Sequence, residues 1–187
     1  MNIEFKEKRI LLDKKEMRET IGKLASKIME DNSDIKALCI MGIRKRGDIL
    51  AKRLASILKR STPWEISVGV LDITLYRDDL TIYGPKPIIG STYFPSSIEG
   101  KEVLLVDDVI YTGRTIRSAL DEIIDYGRPL RVKLAVMVKR GGRELPIIPD
   151  YTGISADLKE GEEVQVLFKE TDKEDLVRVI EVLNENR

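Results

Sequence analysis

The sequence contains no histidine, a single cysteine and few aromatic residues, and its apolar runs are short. Each shortage excludes a kind of chemistry. Without histidine, the usual general base, the usual zinc ligand and every Ser-His or Cys-His pairing are absent. Catalysis must then rest on carboxylates, cations and backbone dipoles. Cys39 has no partner for an intramolecular disulfide and lies inside the apolar run 37–41, which suits a reducing, cytoplasmic setting. No stretch approaches the ~20 apolar residues that span a bilayer, and the opening Met1-Asn2-Ile3-Glu4-Phe5-Lys6 lacks a signal-peptide core, so a soluble protein with no membrane partner is expected. Thirty-two basic residues balance thirty-two acidic ones, so no global field draws in a polyanion and any such site must be local.

With 187 residues and 42% hydrophobic content, the chain has enough apolar material for one domain, 1–187, with a sizeable core. It reads as a βα alternation without repeats. Asp13 to Glu16 has the form of a capping box, and Met17, Ile21, Leu24 and Ile28 form the stripe of a first helix. A strand over 37–41 and a helix over 49–60 follow, with Leu50, Leu54, Ile57 and Leu58 inward. A third strand is expected over 68–76, then a Gly- and Pro-bearing excursion to Phe94. Strands are expected over 103–106, 132–138 and 164–168, and a terminal helix from about Asp172 to Leu183. The class is α/β, a mostly parallel sheet with ligands at the carboxyl ends of its strands.

The most informative segment is 103–115. Val103 to Val106 are aliphatic without alternation, as in a strand covered on both faces. Asp107 and Asp108 follow, and then the small turn Tyr111-Thr112-Gly113-Arg114-Thr115. A helix begins there, with Ile116, Ala119, Leu120, Ile123 and Ile124 on one stripe and Gly127 and Pro129 at its end. Unpaired N–H groups and the positive end of the helix dipole favour an anion at such a turn. Thr112 and Thr115 add hydroxyls, Gly113 lets the backbone come close, and the carboxylates suit ribose hydroxyls or Mg²⁺. Taken singly, the acid pair is also what a solvated turn looks like, and Thr-Gly-Arg-Thr what ordinary capping looks like. Acidic residues at strand ends also occur in phospho-acceptor receiver domains, but there they lie near the domain start. The joint occurrence of strand, acid pair and phosphate turn favours a sugar-phosphate site.

This segment resembles the 5-phosphoribosyl-1-pyrophosphate (PRPP) motif of type I phosphoribosyltransferases, four apolar residues, two acids and a loop ending Thr-Gly-x-Thr. The resemblance implies the type I phosphoribosyltransferase fold with a flexible lid and a small hood. It also implies that Asp107 and Asp108 contact the ribose hydroxyls, with Mg²⁺ held through PRPP or water, and that Tyr111, Thr112, Gly113, Arg114 and Thr115 hold the 5′-phosphate.

A second loop, Gly42-Ile43-Arg44-Lys45-Arg46-Gly47, sets three cations between glycines before a helix. Alone, it reads as solvated basic residues. By the same resemblance it is the pyrophosphate loop, with Arg46 and the backbone of 42–47 as the contacts. The excursion 72–94 reads as disordered or as a lid that keeps water from an oxocarbenium-like centre. Arg77 in it could approach the pyrophosphate as a catalytic cation, or pair with Asp78 or Asp79.

Purine-using members of that superfamily carry an acidic residue where this chain has Tyr111, and tyrosine is a poor base at neutral pH. A pyrimidine is therefore expected. Asp-Ile-Thr-Leu-Tyr-Arg-Asp-Asp-Leu at 72–80, the motif at 106–115, Gly-Arg-Pro at 127–129 and Arg-Glu-Leu-Pro-Ile at 143–147 resemble the PyrR family over nearly the whole chain. PyrR proteins are uracil phosphoribosyltransferases that also bind pyrimidine-operon messenger RNA in response to UMP. The resemblance implies conversion of uracil and PRPP to UMP and pyrophosphate with Mg²⁺, a homodimer or homotetramer, and Val109, Val138 and Arg140 on the base side. The RNA face departs from the family pattern. Arg140-Gly141-Gly142-Arg143 lacks the family histidine, Ile148 and Ile154 stand where basic residues are expected, and Gly22, Ser26 and Asp31 stand at RNA-contact positions of the first helix. Lost contacts weaken a polyanion complex steeply, so RNA binding is expected to be weakened.

Overall fold

The aliphatic stretches without alternation form central strands because both of their faces are covered. The computed structural model describes residues 5–32, 36–76 and 91–183. In chain order these form β1 (Phe5–Leu12), α1 (Lys14–Glu30), β2 (Ala37–Ile43), α2 (Gly47–Ser61), β3 (Glu65–Leu71), a 3₁₀ turn (Ile73–Tyr76), β4 (Glu102–Ile110) and α3 (Arg114–Tyr126). There follow β5 (Arg131–Arg140), β6 (Tyr151–Ala156), β7 (Glu162–Leu167), a single helical turn α4 (Lys169–Asp172) and β8 (Leu176–Val182).

Five strands form a parallel sheet in the order β3-β2-β4-β5-β6. Along β4, Leu104 and Val106 join the core beneath α1 and α2, whereas Val103 and Leu105 join a second core with Ile116, Ala119 and Ile123 of α3. Alternate residues thus enter different cores, so both sets must be apolar. Leu50, Leu54 and Leu58 of α2 are fully buried. Truncating one to alanine would cost about 2–5 kcal/mol through lost transfer energy and a residual cavity.

The strand order positions the site. From β2 the chain moves outward through α2 to β3, and from β4 it moves the other way through α3 to β5 and β6. β2 and β4 are neighbours, with Gly42 opposite Val106. The loops leaving their carboxyl ends therefore diverge, and the crevice between them is where open α/β sheets bind ligands.

The first helix forms as expected. Asp13 accepts from the Glu16 N–H at 2.8 Å and Glu16 accepts from the Asp13 N–H at 2.9 Å, a complete capping box. Met17, Ile21, Leu24 and Ile28 are all buried. Four expectations are corrected. The terminal helix is instead strand β8, paired antiparallel with β1 and β7 in a separate three-stranded sheet, the hood. Its Val177 and Val179 are buried and its Arg178 is half-buried with polar partners, the period of two of a strand, although Leu176, Val179, Ile180 and Leu183 also stand at the i, i+3, i+4, i+7 spacing of a helical stripe. Strands β1 and β6 form where none was expected, and β1 exposes all but its last two residues. The strand expected over 68–76 ends at Leu71 and gives way to the 3₁₀ turn. Ile124, expected on the buried stripe of α3, is 66% exposed. Among the described residues no helix is long and apolar enough to cross a membrane.

Candidate functional site

The acid pair lies inside β4, which continues to Ile110 beyond it. Asp107 is buried and Asp108 half-buried. Asp107 Oδ1 accepts the backbone N–H of Asp108 at 3.0 Å. Burial pushes the Asp107 carboxyl well above the usual carboxylate range, and the Asp108 charge adds to it. Burial also raises Asp108, opposed by its hydrogen bond with Asp107 and by the charge of Arg46.

The turn after β4 leads into α3. Gly113 is the N-cap in the left-handed region at φ 93°, and no capping side chain closes the helix start. The Arg114 N–H lies 3.3 Å from Thr112 Oγ1. An anion docked here would meet the first-turn N–H groups directly. The segment after β5 folds over this turn. Glu144 and Leu145 donate their N–H groups to the Thr112 carbonyl at 3.1 and 3.0 Å, and Arg114 Nε donates to Glu144 at 2.9 Å.

The cationic loop stands beside the acid pair because Gly47 has no side chain. A Cβ there would lie 2.6 Å from the Val106 carbonyl oxygen and 3.1 Å from Asp107 Oδ1. The first turn of α2 thus rests directly on β4. The Arg44–Lys45 peptide is cis, and Arg44 donates its N–H to the Leu71 carbonyl at 2.9 Å. Gly42 and Ile43 are buried at the end of β2, and Arg44 and Lys45 are exposed. Arg46 is differently placed. Its guanidinium forks onto Asp172 of α4, at 2.8 Å from Nη2 and 3.2 Å from Nε. That fork holds the Asp172 carboxyl down at about 2.

Of the residues expected beside the base, Val109 and Val138 face each other across β4 and β5. Val109 is half-buried, whereas Val138 is fully buried in the core beneath α1 and α2. The Arg140 guanidinium lies over the Tyr111 ring. A cavity of about 290 Å³ opens there, bounded by Tyr111, Arg140, Gly142 and Ile148. Arg77 and most of the expected lid lie outside the described residues.

Sequence reasoning did not find Asp172, which holds Arg46, or Glu144, which holds Arg114. Both lie far along the chain, Glu144 in the segment 143–147 read for its resemblance and Asp172 at the start of the expected terminal helix. Among the described residues no group of three or more His, Cys, Asp or Glu side chains could by itself hold a metal ion. A divalent ion would have to combine the Asp107 and Asp108 oxygens with oxygens of a ligand. Such hard donors suit Mg²⁺.

The family described as "Phosphoribosyl transferase domain" matches residues 9–169. The Bifunctional protein PyrR of Pelotomaculum thermopropionicum is 48% identical over 94% of this chain and 97% of that protein. The Bifunctional protein PyrR of Thermus thermophilus is 47% identical over 91% of this chain and 94% of its own length. Among solved structures, a hypoxanthine-guanine phosphoribosyltransferase from Bacillus anthracis superposes with a TM-score of 0.70 at 14% identity, covering 95% of this chain and 99% of that one. The hypoxanthine phosphoribosyltransferase of Trypanosoma cruzi gives 0.68 at 20% identity, over 94% and 98%. These two establish the fold alone. With nearly half its residues shared along almost its whole length with the first two proteins, the chain belongs to the phosphoribosyltransferase family and, within it, to PyrR.

Proposed function

We propose that this protein is a uracil phosphoribosyltransferase, forming UMP and pyrophosphate from uracil and PRPP. The observation that carries this reading is the placement of three parts around one crevice: the uncapped α3 start with Thr112, the buried acid pair, and the cationic loop pressed against it through Gly47.

The 5′-phosphate docks on the turn 111–115, where backbone N–H groups and two threonine hydroxyls receive it. Asp107 and Asp108 accept hydrogen bonds from the ribose hydroxyls, which fixes C1 beside the loop 42–47. Ligand donors and cationic charge also satisfy a carboxylate whose burial disfavours its ionised form. At C1 the bond to pyrophosphate breaks, the leaving group keeps the electron pair, and the bond to uracil N1 forms as N1 loses its proton. Exposed Arg44 and Lys45 with the backbone of 42–47 stabilise the departing charge, and Arg77 is a further candidate. Asp107 and Asp108 would hold Mg²⁺ through PRPP or water, and the bound ion would neutralise pyrophosphate charge. The half-buried Val109 gives the base an apolar floor, Val138 supports it from the adjacent strand, and Arg140 over Tyr111 closes the side. A tyrosine in place of a carboxylate base favours uracil over purines.

A second role, nucleotide-responsive binding of a pyrimidine-operon leader, is the other activity that the resemblance to the PyrR family implies. We place it second because Gly22, Ser26 and Asp31 on α1 and the exposed Ile148 offer no cations where RNA contacts are expected. Assaying uracil, hypoxanthine, guanine and orotate with PRPP and Mg²⁺ tests the first role. UMP formation from uracil alone is expected, and turnover only with a purine would reject the pyrimidine assignment. Retention of a pyrimidine leader far above random RNA at matched salt would restore the second role.

A further inference from the structure

On the α1 and α2 side of the sheet, away from the crevice, lies a cavity of about 760 Å³ walled by three elements: the first turns of α1, the outer face of α2, and the α4 segment. Its floor includes Ile21 and the half-buried Ile57. Six cations and three carboxylates line it, a local surplus of positive charge in a chain whose charges sum to zero. Two of the carboxylates are already taken. Arg53 binds Glu170 at 2.6 Å and Asp175 at 2.5 Å. The third, Asp13, caps α1. Lys14, Arg18 and Arg60 form no ion pair with a carboxylate among the described residues, and Arg60 donates to Ser56 at 3.1 Å. Lys169 stands beside Asp175, whose Oδ1 accepts its backbone N–H at 3.0 Å. Folding has therefore gathered three exposed cations from two helices around one concavity, with Lys169 at its edge, without pairing the three to carboxylates. Such an arrangement costs self-repulsion unless an anion relieves it.

The shape selects among anions. A nucleic-acid strand needs a positive track that continues beyond the cavity, but Asp13 and Glu19 on α1 and the Glu170–Arg53–Asp175 group bound this one. The volume is that of a small-molecule site. We propose that this cavity binds a compact polyphosphate anion such as a nucleoside triphosphate, with its phosphates among Lys14, Arg18, Arg60 and Lys169 and its apolar part over Ile21 and Ile57. The site is independent of the proposed turnover. It has a structural link to the crevice, because Lys169 begins the same turn whose Asp172 holds Arg46 of the cationic loop.

Calorimetric titration of the full chain with tripolyphosphate and, separately, with UTP tests this. Two binding events are expected for wild type, one at the crevice loops and one here. The variant Arg18→Glu/Arg60→Glu should lose the second by about tenfold or more and keep the first, because removal of clustered charge acts locally. The control Lys23→Glu/Lys27→Glu, on exposed positions of α1 outside the cavity, should keep both. Bound UTP should also slow amide exchange over residues 169–175 in wild type but not in the charge-reversed variant. If charge reversal disturbs folding, Arg18→Gln/Arg60→Gln replaces it with the same expectation. Superimposable isotherms for wild type and either cavity variant would overturn the proposal. So would equal weakening in the control, which would mean a diffuse field, or binding confined to a long RNA strand.

Discussion

The Arg140 guanidinium carbon lies 4.0 Å from the centroid of the Tyr111 ring. Cation–π contacts of this kind contribute about 0.5–2 kcal/mol, and here one joins the end of β5 to the turn 111–115 after β4. Gly142 makes it possible. Its φ is +103°, and a Cβ there would lie 2.3 Å from Tyr111 Cε2.

Restoring the family histidine by Gly142→His should therefore displace Tyr111 and cost about 1–3 kcal/mol of stability through strain. On the proposed function it should raise KM for PRPP about tenfold while kcat changes little, because the phosphate turn loses its support. Thermal melting and steady-state kinetics check this. An unchanged Tm and KM would show that the turn does not depend on the stack.

Gly47→Ala should lower stability by about 1–3 kcal/mol, since its methyl would meet the Val106 carbonyl oxygen at 2.6 Å. The same methyl would push the cationic loop away from Asp107. Denaturant melts with PRPP binding should therefore report loss of both stability and affinity.

Asp107→Asn separates stability from function. Burial and Asp108 raise the Asp107 carboxyl, so the folded state binds that proton more tightly than the unfolded chain. Ionisation at neutral pH then opposes folding, and the penalty shrinks as pH falls below the raised value and is gone below the ordinary one. The asparagine variant should melt about 2–4 °C higher at neutral pH, the shift ~1 kcal/mol gives in a chain of this size. The gain should vanish in acid, while turnover falls about a hundredfold.

The Arg46–Asp172 pair has the opposite sign. Asp172 titrates at about 2 in the folded chain against an ordinary 3.8. Its contribution is fully present above about pH 4 and is lost as pH falls toward 2. Asp172→Asn should cost about 1 kcal/mol at neutral pH after allowance for solvent screening, with little difference from wild type near pH 2. Melts across this range, with PRPP titrations at neutral pH, would also show whether releasing Arg46 alters pyrophosphate affinity.

Strands β2 to β5 of the central sheet were legible because buried parallel strands demand aliphatic runs such as 103–106, and helices α1 and α2 because their stripes and caps are local. The edge strand β6 and the hood strands β1 and β8 were not. The segment 176–182 places apolar residues at spacings that satisfy a strand and a short helix alike, and pairing with β7 on one edge and with β1, more than 160 residues earlier, on the other decides between them. The acid pair, the turn 111–115 and the loop 42–47 stood out as candidates for the same local reason. Asp172 and Glu144 were not, because their meaning depends on which distant arginine each one meets.

Calorimetric titration of Mg²⁺–PRPP into wild type and Asp107→Asn/Asp108→Asn tests the central claim most directly. The acid pair and the turn beyond it are held to receive the phosphorylated ribose, so the double variant should lose affinity about a hundredfold or more while remaining folded. Equal affinity in the two proteins would contradict that claim.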